Sequence, residues 1–417
     1  MSSRSFIEKL LDGIEIEWNA LWQVTTWDKR FNDVDNYKQP KVINYQYLLA
    51  ADLFKLEKDN GDVFLLSTGE RTGWTTEELA GAYLRTGEVV TIPGGKSRPI
   101  KDVLKYYKGR FVTADNRIAT SSDTDKLLNK FLYYWLMSES TVIDGFYRGS
   151  GIQHPSMAAV LDMQIPIPPL HIQAEIVRIL DTFTELISEL ISELAARKKQ
   201  YNYYRDQLLS FKDGEVEWKT LGEVAKIQRG ASPRPIAKYI VDDENGIPWI
   251  KIGDTSTGSK YVDRTAQKIT FEGAKKSRIL KKGDFIISNS MSFGRPYILN
   301  IDGAIHDGWA SISDFENILN SDYLYHYLSS NSVQNYWISK INSGSVSNLN
   351  ADIIKTLPVP VPSFSEQARI VSILDKFDAL TNSISEGLPH EIKLRQKQYE
   401  YYRDLLFSFP MQEQVVP

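Results

Sequence analysis

The chain has 417 residues, a formal net charge of −4 and no cysteine. This length suits two or three domains, and the lack of cysteine excludes disulfides and thiolate zinc sites and favours a reducing cytoplasm. No apolar run approaches the roughly 20 residues that cross a bilayer, and the first residues lack the apolar core of a signal peptide, so we expect a cytoplasmic protein with no membrane contact.

The first predicted element is a short helical segment over residues 1–11, which opens a β-rich head over residues 1–165. Short apolar runs broken by Gly, Asp and Asn predict strands and turns, and they are clearest in a second head over residues 212–357. One example is the run over residues 247–252.

A helical arm over residues 166–211 separates the two heads, and a second arm over residues 358–409 follows the second head. Each arm begins with a proline-bearing segment, which fixes the direction in which the chain enters the helix. A tail over residues 410–417 follows the second arm. The apolar positions of the first arm have helical spacing: Ile176, Ile179, Leu180, Phe183, Leu186, Ile187, Leu190, Ile191 and Leu194.

The two arms are copies of one sequence. Lys199–Phe211 recurs as Lys397–Phe409 with 10 of 13 residues identical, and Gln173–Phe183 recurs as Gln367–Phe377. An internal repeat of this kind has to be recognised before other sequence signals are interpreted, because it determines the architecture of the fold. Two long amphipathic helices of matching pattern most simply bury their apolar stripes against each other as a coiled coil. The alternative is that each helix packs only against its own head.

The two copies differ in length. The offset is 194 residues in the upstream block and 198 in the downstream block, so the second arm has four additional residues. Four residues of helix correspond to roughly 6 Å of rise. The second arm carries Gly387 and Pro389 in this stretch, which predicts an interruption or kink. The first arm has instead a Glu-Leu-Ile-Ser tandem over residues 185–192.

The heads share only short anchors, such as Glu17-Trp18 and Glu217-Trp218. Between these anchors their sequences diverge almost completely. A constant arm with a variable head is what a chain needs to present two recognition surfaces of different specificity. The alternative is a duplication whose heads drifted without functional meaning.

The sequence offers no catalytic constellation. Gly94-Gly-Lys-Ser97 ends like a phosphate-binding loop, but Val90 stands where that motif requires Gly. The five histidines have no metal-ligand spacing, and no Gly-rich loop opens a cofactor site. Glu217-Trp-Lys219 lacks the upstream aspartate of a nuclease site. We therefore predict that this chain has no catalytic residue and binds no metal or cofactor.

Polar loops in both heads suit contact with DNA. Arg can bind guanine in bidentate fashion, Gln and Asn can bind adenine, and Ser and Lys can bind phosphate. Because the net charge is negative, the basic residues would have to act locally, and an ordinary polar turn is the alternative for each. The candidates in the first head are Arg71, Lys96, Arg98, Arg148, Ser150 and Gln153. Those in the second head are Arg229, Ser232, Arg234, Lys251, Ser288, Ser290, Ser292, Arg295, Ser345 and Asn348.

Taken together, the paired arms ending in Lys-Gln-Tyr-x-Tyr-Tyr-Arg-Asp, their proline-rich entries, the Gln-x-x-Ile-Val-x-Ile-Leu-Asp helix starts and the Leu11-Asp-Gly13 opening resemble a known family. The chain is similar, over essentially its whole length, to the DNA-specificity subunit of type I restriction–modification systems. The Glu-Leu-Ile-Ser tandem is similar to the short helical repeats of one subgroup, in which spacer length varies.

This resemblance implies an α+β fold with a pseudo-two-fold internal repeat. Two β-rich target recognition domains would be separated by two long helices that form an antiparallel coiled coil. Each head would read one half of a split, asymmetric sequence in double-stranded DNA. The arms would set the gap between the halves.

The resemblance also implies partners. Two methyltransferase subunits, which modify adenine N6 with S-adenosylmethionine, would dock on the arms. Two motor–nuclease subunits would cleave unmodified DNA with ATP and magnesium, in defence against phage. All of these cofactors would belong to the partner subunits, and partners could supply part of the phosphate contact that a chain of net charge −4 lacks.

Two other classes of function remain open from the sequence. A coiled-coil scaffold whose heads bind proteins predicts no affinity for duplex DNA. An enzyme hidden in the heads predicts activity from the purified chain alone.

Overall fold

We analysed a computed structural model of the chain. It describes residues 10–11, 13–14, 16–96, 98–212, 214–255, 258–289, 294–342, 348–383 and 385–409. Most of the expected helical segment 1–11 and the whole tail 410–417 lie outside these ranges. The α+β class with two β-rich heads and two long helical arms is confirmed.

The first head is built mainly from short strands. These are β1 (Glu17–Ala20), β2 (Thr25–Trp27), β3 (Val63–Leu66), β4 (Gly73–Thr75), β5 (Arg85–Pro93), β6 (Lys105–Thr113), β7 (Asn116–Ser121), β8 (Tyr147–Arg148), β9 (His154–Pro155) and β10 (Gln164–Ile167). Its α-helices are α1 (Leu21–Val24), α2 (Ala50–Leu53), α3 (Glu77–Ala80), α4 (Asn129–Ser138), α5 (Ser140–Gly145) and α6 (Met157–Leu161).

Six of these strands form one sheet in the order β2-β7-β5-β6-β3-β4. All pairs are antiparallel except β3 with β6. The helix α4 covers one face, where Phe131 and Trp135 join Val90 and Ile92 of β5 in the largest hydrophobic cluster of this head. Burial of these large apolar side chains is the main force that holds the helix on the sheet.

The second head is also built mainly from short strands, but its sheets are arranged differently. Its strands are β11 (Glu217–Thr220), β12 (Lys226–Arg229), β13 (Ile240–Val241), β14 (Ile247–Ile250), β15 (Tyr261–Val262), β16 (Lys268–Ile269), β17 (Arg278–Leu280), β18 (Phe285–Ser288), β19 (Pro296–Leu299), β20 (Gly303–Ile305), β21 (Trp309–Ser313) and β22 (Pro358–Val361). Its helices are α8 (Leu221–Val224), α9 (Phe271–Lys275), α10 (Ser321–Leu328), α11 (Asn331–Asn342) and α12 (Ala351–Lys355), where α7 is kept for the first arm.

Two five-stranded sheets make up this head, in the orders β12-β21-β18-β19-β15 and β13-β16-β14-β20-β17. The strand β18 is buried on both faces, and its side chains alternate between two clusters. Phe285 and Ile287 pack with α10, whereas Ile286 packs with Ile250 and Ile305 of the other sheet. Because successive side chains of a strand point to opposite faces, a sheet covered on both sides has continuously apolar strands.

A two-stranded clasp closes each head where it joins an arm. The strand β1 pairs antiparallel with β10, and Trp18 is opposite Pro166. In the second head β11 pairs with β22 in the same register, and Trp218 is opposite Pro360. The two ends of each head therefore leave it side by side.

The first arm is one helix, α7 (Leu170–Leu208). The second arm consists of α13 (Phe364–Asn382) and α14 (Gly387–Leu406). The expected interruption near Gly387 is confirmed. At Gly387 φ is +75°, and a Cβ atom would lie 2.4 Å from the carbonyl oxygen of Ala379, so glycine is required there.

The two arms contain the same length of helix. α7 has 39 residues, α13 has 19 and α14 has 20, and the four additional residues of the second arm are those between α13 and α14, residues 383–386. The four additional residues therefore do not lengthen the helical part of the second arm. Residue 384, between α13 and α14, lies outside the described residues.

The chain divides into two compact units that do not follow its linear order. One unit comprises residues 1–187 and 395–417, and the other comprises residues 188–394. Each unit thus contains one head, the start of the arm that follows that head, and the end of the other arm. Equivalent aromatic pairs stack in the two units. Phe183 stacks on Tyr402 with ring centres 5.4 Å apart, and Phe377 stacks on Tyr204 with ring centres 5.6 Å apart.

In each unit the start of one arm therefore lies beside the end of the other arm. A repeated glutamine fastens each arm to its head. Gln173 accepts a hydrogen bond from the Leu128 amide at 2.9 Å and donates to the Pro168 carbonyl at 2.8 Å. Gln367 accepts from the Asn320 amide at 2.7 Å and donates to the Pro362 carbonyl at 2.9 Å. Both side chains are fully buried, where an unpaired amide would be costly.

In the part of the chain that the structure describes, no helix combines the length and apolar character needed to cross a membrane.

Candidate nucleic-acid interface

Three loops of the first head that carry predicted DNA-contacting residues meet at one place. The backbones of Lys96 and Gln153 exchange two hydrogen bonds of 2.9 Å, which join the loop after β5 to the loop between β8 and β9. Arg98 forms an ion pair with Glu70, which brings in the loop between β3 and β4. The predicted residues on these loops are Arg71, Lys96, Arg98, Arg148, Ser150 and Gln153.

The side chains on these loops differ in accessibility. Arg148 and Ser150 are exposed, and Arg148 has no ion pair among the described residues. Arg71 is exposed and is paired with Glu57. The side chain of Lys96 is only 5% exposed, because its ammonium group is paired with Asp144. A lysine held in this way supports the loop, so Lys96 is not among the candidate DNA contacts that the structure supports.

Lys105, which the sequence analysis did not select, holds the loop between β3 and β4 in place. Lys105 Nζ donates to the carbonyl oxygen of Ser67 at 2.7 Å, to Ser67 Oγ at 2.9 Å and to the Gly69 carbonyl. Burial lowers the pKa of Lys105 to about 8. Within the described residues no carboxylate pairs with it, so its positive charge is not neutralised locally.

A second basic group in the first head surrounds Asp115, which directly precedes β7. Lys29 Nζ lies 2.7 Å from Asp115 Oδ1, and Arg117 Nη1 lies 2.9 Å from the same oxygen. The amide of Gly94, which directly follows β5, donates to the Asp115 carbonyl at 3.2 Å. The sequence analysis missed Lys29, Asp115 and Arg117, because Lys29 lies 86 positions from Asp115 in the chain.

The corresponding group in the second head surrounds Asp307, which lies in the turn before β21. Ser232 Oγ donates to Asp307 Oδ1 at 2.8 Å, and His306 Nε2 lies 2.9 Å from the same oxygen. Arg234 Nη2 lies 3.5 Å from Asp307 Oδ2. Arg229 Nε lies 3.5 Å from the Asp307 carbonyl oxygen. The structure thus brings Arg229, Ser232 and Arg234 together.

These two groups lie at equivalent ends of the sheets. In the first head β7 pairs with both β2 and β5, and in the second head β21 pairs with both β12 and β18. Asp115 and Asp307 stand before β7 and β21 respectively. Close packing at both turns requires glycine, because a Cβ atom would lie 2.6 Å from the Asp115 carbonyl oxygen at Gly94 and 2.1 Å from the His306 carbonyl oxygen at Gly230.

The basic neighbours keep both carboxylates ionised. Partial burial by itself raises the pKa of each, but the hydrogen bond from Lys29 and the charge of Arg117 give Asp115 a pKa below its ordinary value. The hydrogen bond from Ser232 and the charge of Arg234 do the same for the pKa of Asp307.

Other predicted residues of the second head lie apart from Asp307. Lys251 Nζ donates to Gln267 Oε1 at 2.8 Å, and Ser288 is fully buried in β18. Arg295 precedes β19 and lines a cavity of about 260 Å³ with Arg205 and Tyr325, beside the arm residues of this unit. A buried serine cannot touch DNA in this conformation, so Ser288 is not among the candidate DNA contacts that the structure supports.

Asn348 is exposed and lies next to the Asp307 group. The amide of Leu349 donates to the Asn289 carbonyl at 3.3 Å, and Asn289 Nδ2 donates to the Asp307 carbonyl at 3.3 Å. The predicted contacts Ser290, Ser292 and Ser345 lie outside the described residues.

Comparison with known proteins identifies the family. A family model described as a type I restriction modification DNA specificity domain matches residues 50–197 and 214–394. The specificity subunit of the type I restriction enzyme EcoR124I/EcoR124II of Escherichia coli is 40% identical over 435 residues, which cover 100% of both chains. The chain belongs to the family of type I restriction–modification DNA-specificity subunits.

One further relative agrees with this assignment, and a solved structure has a similar fold. The specificity subunit of the type I restriction enzyme EcoprrI of Escherichia coli is 30% identical over 423 residues and 93% of each chain. The crystal structure of the type I restriction–modification S subunit from M. genitalium has a similar fold, with a TM-score of 0.57 and 18% identity, over 96% of this chain and 98% of that one.

Specificity subunits are the non-catalytic DNA-recognition components of these systems, and the two family matches give this chain two target recognition domains. Among the described residues, no group of three or more His, Cys, Asp or Glu side chains is arranged to hold a metal ion. That all cofactors belong to other subunits stays a prediction.

Proposed function

We propose that this specificity subunit recognises a bipartite, asymmetric sequence in double-stranded DNA, with one half-site read by each head. The observation that carries the proposal is the equivalence of the two units. Each contains a head whose sheet presents an aspartate with basic neighbours at the same place, although the loops that supply those neighbours differ. Equivalent frames with different loops suit two readings of different sequence.

The proposal includes the partners. Two methyltransferase subunits, which use S-adenosylmethionine to methylate adenine N6, dock on the arms, and two restriction subunits cleave unmodified DNA with ATP and magnesium. The repeated arms support a count of two, because a repeated surface offers each of two identical subunits the same docking site. The complex acts in the cytoplasm, in defence against phage.

The two basic groups ease the difficulty of a net charge of −4. Phosphate contacts depend on local Lys and Arg side chains rather than on net charge. Arg148 and Arg234 are exposed on the two heads, and Lys105 holds a local positive charge at the loop between β3 and β4.

The test is to co-express the chain with its methyltransferase partner and to map methylated adenines genome-wide. We expect one split, asymmetric motif with a fixed gap. A contiguous motif, or methylation that does not depend on this chain, would refute the proposal.

The protein-binding scaffold is distinguished by a direct binding measurement. The complex of the chain with its methyltransferase partner should bind a duplex that carries the motif, and the affinity should fall steeply as salt rises. A scaffold whose heads bind proteins predicts no preference for that duplex over one with both half-sites scrambled.

A further inference from the structure

We infer that Asp115 and Asp307 are positioning residues for sequence readout, each for the half-site of its own head. This inference rests on the proposed function, since it concerns how each head reads DNA. It assigns these carboxylates the role of orienting the basic and hydroxyl side chains around them.

The first argument is the recurrence of one arrangement in two unlike heads. The segments around Asp115 and Asp307 share no motif, yet both carboxylates stand before the strand that pairs with its head's first sheet strand. In both heads the end of a neighbouring strand is hydrogen-bonded to this turn. The amide of Gly94, after β5, donates to the Asp115 carbonyl, and the amide of Asn289, after β18, donates to the Gly308 carbonyl at 3.0 Å. An arrangement kept while its surroundings diverged indicates a shared task.

The second argument is that stability gives little reason for these contacts. The carboxylates are partly exposed, at 43% for the Asp115 side chain and 28% for that of Asp307. Ion pairs this close to solvent contribute little to folding, because water and salt screen them. Their effect is instead to restrict the rotamers of the cations.

The third argument is the geometry of the cations. Arg234 is 84% exposed, and its guanidinium touches Asp307 through one nitrogen, so its other donors face solvent. A guanidinium oriented in this way can bind the O6 and N7 atoms of guanine. In the first head Lys29 and Arg117 converge on a single oxygen of Asp115, which fixes both side chains relative to the loop after β5. Rotamers locked by such supporting contacts are what precise recognition requires.

His306 completes the group in the second head. The amide of Gly308 donates to His306 Nδ1 at 2.9 Å, so Nδ1 is an acceptor and the proton of the neutral ring is on Nε2. Nε2 then donates to Asp307 Oδ1, which already accepts from Ser232. Asp307 is thus held from two sides and presents Oδ2 to Arg234.

The experiment uses the complex with the methyltransferase partner and a DNA library in which each half-site is randomised in turn. The variants are D307N and D115N, which keep side-chain size but remove the charge. We expect D307N to lower discrimination on the order of tenfold in one half-site only. D115N should do the same in the other half-site only.

The controls are aspartates away from Asp115 and Asp307, each with a hydrogen-bond or ion-pair partner of its own. Asp62 lies 2.8 Å from Arg110 Nη1, and Asp302 accepts from the Lys282 amide at 2.8 Å. D62N and D302N should leave both half-sites unchanged. S232A removes the two hydrogen bonds between the Ser232 hydroxyl and Asp307, so it tests the second head even if D307N does not fold. K29M removes the ion pair of Lys29 with Asp115 and tests the first head in the same way.

Four outcomes overturn the inference. In the first two, both charge variants keep the wild-type specificity while the wild-type motif is intact, or both relax the same half-site. In the other two, either variant relaxes both half-sites equally, or switches to a different base without loss of selectivity. The last result would mean that the carboxylate itself reads a base, as when Asp accepts a hydrogen bond from cytosine N4. If the wild-type complex shows no split motif, the proposed function fails instead.

Discussion

His326 occupies a fully buried position between the second head and the arm residues of its unit. The Tyr201 hydroxyl lies 3.0 Å from His326 Nδ1, and His326 Nε2 lies 2.8 Å from Asp375 Oδ1. Tyr134 stands at the corresponding place in the first head, where its hydroxyl donates to Asp181 Oδ1 at 2.6 Å. Each head therefore reaches the same aspartate of the arm repeat through a different side chain.

We expect His326→Phe to destabilise its unit by about 2–4 kcal/mol, because it leaves the buried Tyr201 hydroxyl and one Asp375 oxygen without this partner. Urea unfolding measures the loss, and hydrogen exchange should locate it in α10 and α13. Tyr134→Phe, which removes the contacts of the Tyr134 hydroxyl with Asp181 and Thr184 in the other unit, is the control and should cost about 1–2 kcal/mol. Equal exchange in α10 of the wild type and His326→Phe would contradict this role.

The same contact predicts a dependence on acid. The hydrogen bond from His326, together with the charge of Lys260, lowers the pKa of Asp375. A carboxylate with a lowered pKa stabilises the fold above its unfolded value and loses that contribution as the pH falls through its folded value. The stability difference between the wild type and His326→Phe should therefore shrink as the pH falls below about 4.

Lys105 gives a prediction on the alkaline side. Its pKa is lowered to about 8 by burial, so between about pH 8 and its ordinary value of 10.5 the folded state holds fewer protons than the unfolded state. Stability contributed through this group therefore rises with pH across that range. Urea unfolding of the wild type and Lys105→Met at pH 7.5 and pH 10 should show the wild type gaining relative to the variant. A constant difference would refute the lowered pKa.

At this scale the sequence analysis was least complete. Residue type and loop context pointed to Arg229, Ser232 and Arg234, and the structure brings them together at Asp307. The Gly-Gly-Lys context gave no sign that Lys96 is buried on Asp144, because burial depends on a partner 48 positions away. Lys29 was missed for the same reason, since Asp115 is distant in the chain.

The arms were the easiest elements to predict. Their apolar residues recur with the helical period over many turns, and two copies of one pattern reinforce each other. The helix break at Gly387 was also visible, because glycine and proline act locally. The number of helical residues was not, since four extra residues in a repeat read equally well as an added turn or as a break.

The Glu-Leu-Ile-Ser tandem lies within the uninterrupted helix α7, so an added copy should extend that helix. We expect one further unit after Ser192 to lengthen α7 by roughly 6 Å. The gap of the methylated motif should then widen by about one or two base pairs, at about 3.4 Å per base pair, while both half-sites stay unchanged. Methylome mapping measures the gap.

The control for this insertion is Ser192→Ala, which alters the tandem without changing its length and should leave the gap as it is. An unchanged gap in the insertion variant would show that α7 does not set the distance between half-sites.

On the scale of the whole molecule, the units are assembled from distant parts of the chain. The cluster that holds the first head together includes Leu406 and Phe409 from the end of the second arm, with Leu10 and Leu11 packed against it. The segment between α7 and β11 is the corresponding junction in the other unit. Its residues 214–215 are exposed, and none of its described residues belongs to a strand.

A circular permutant tests this organisation. Joining residue 417 to residue 1 and opening the chain after Lys212 should preserve the fold, because both joined ends belong to one unit and the cut breaks no strand pair. Circular dichroism and methylation with the partner subunit measure the outcome. A permutant opened after Glu88, within β5, should not fold. If the permutant opened after Lys212 does not fold although the linker between residues 417 and 1 is uncleaved, the two junctions are not equivalent.

The clasps have a consequence for how such genes change. Because β1 lies beside β10 and β11 beside β22, a head is attached to the rest of the protein through two adjacent strand ends. The amino-acid sequences of the arms are repeated within the chain, and short anchors such as Glu17-Trp18 and Glu217-Trp218 recur at the borders. A crossover between alleles at those borders exchanges a complete head together with its closing strands, so a lineage can acquire a new target sequence in one recombination event while its partner subunits remain unchanged.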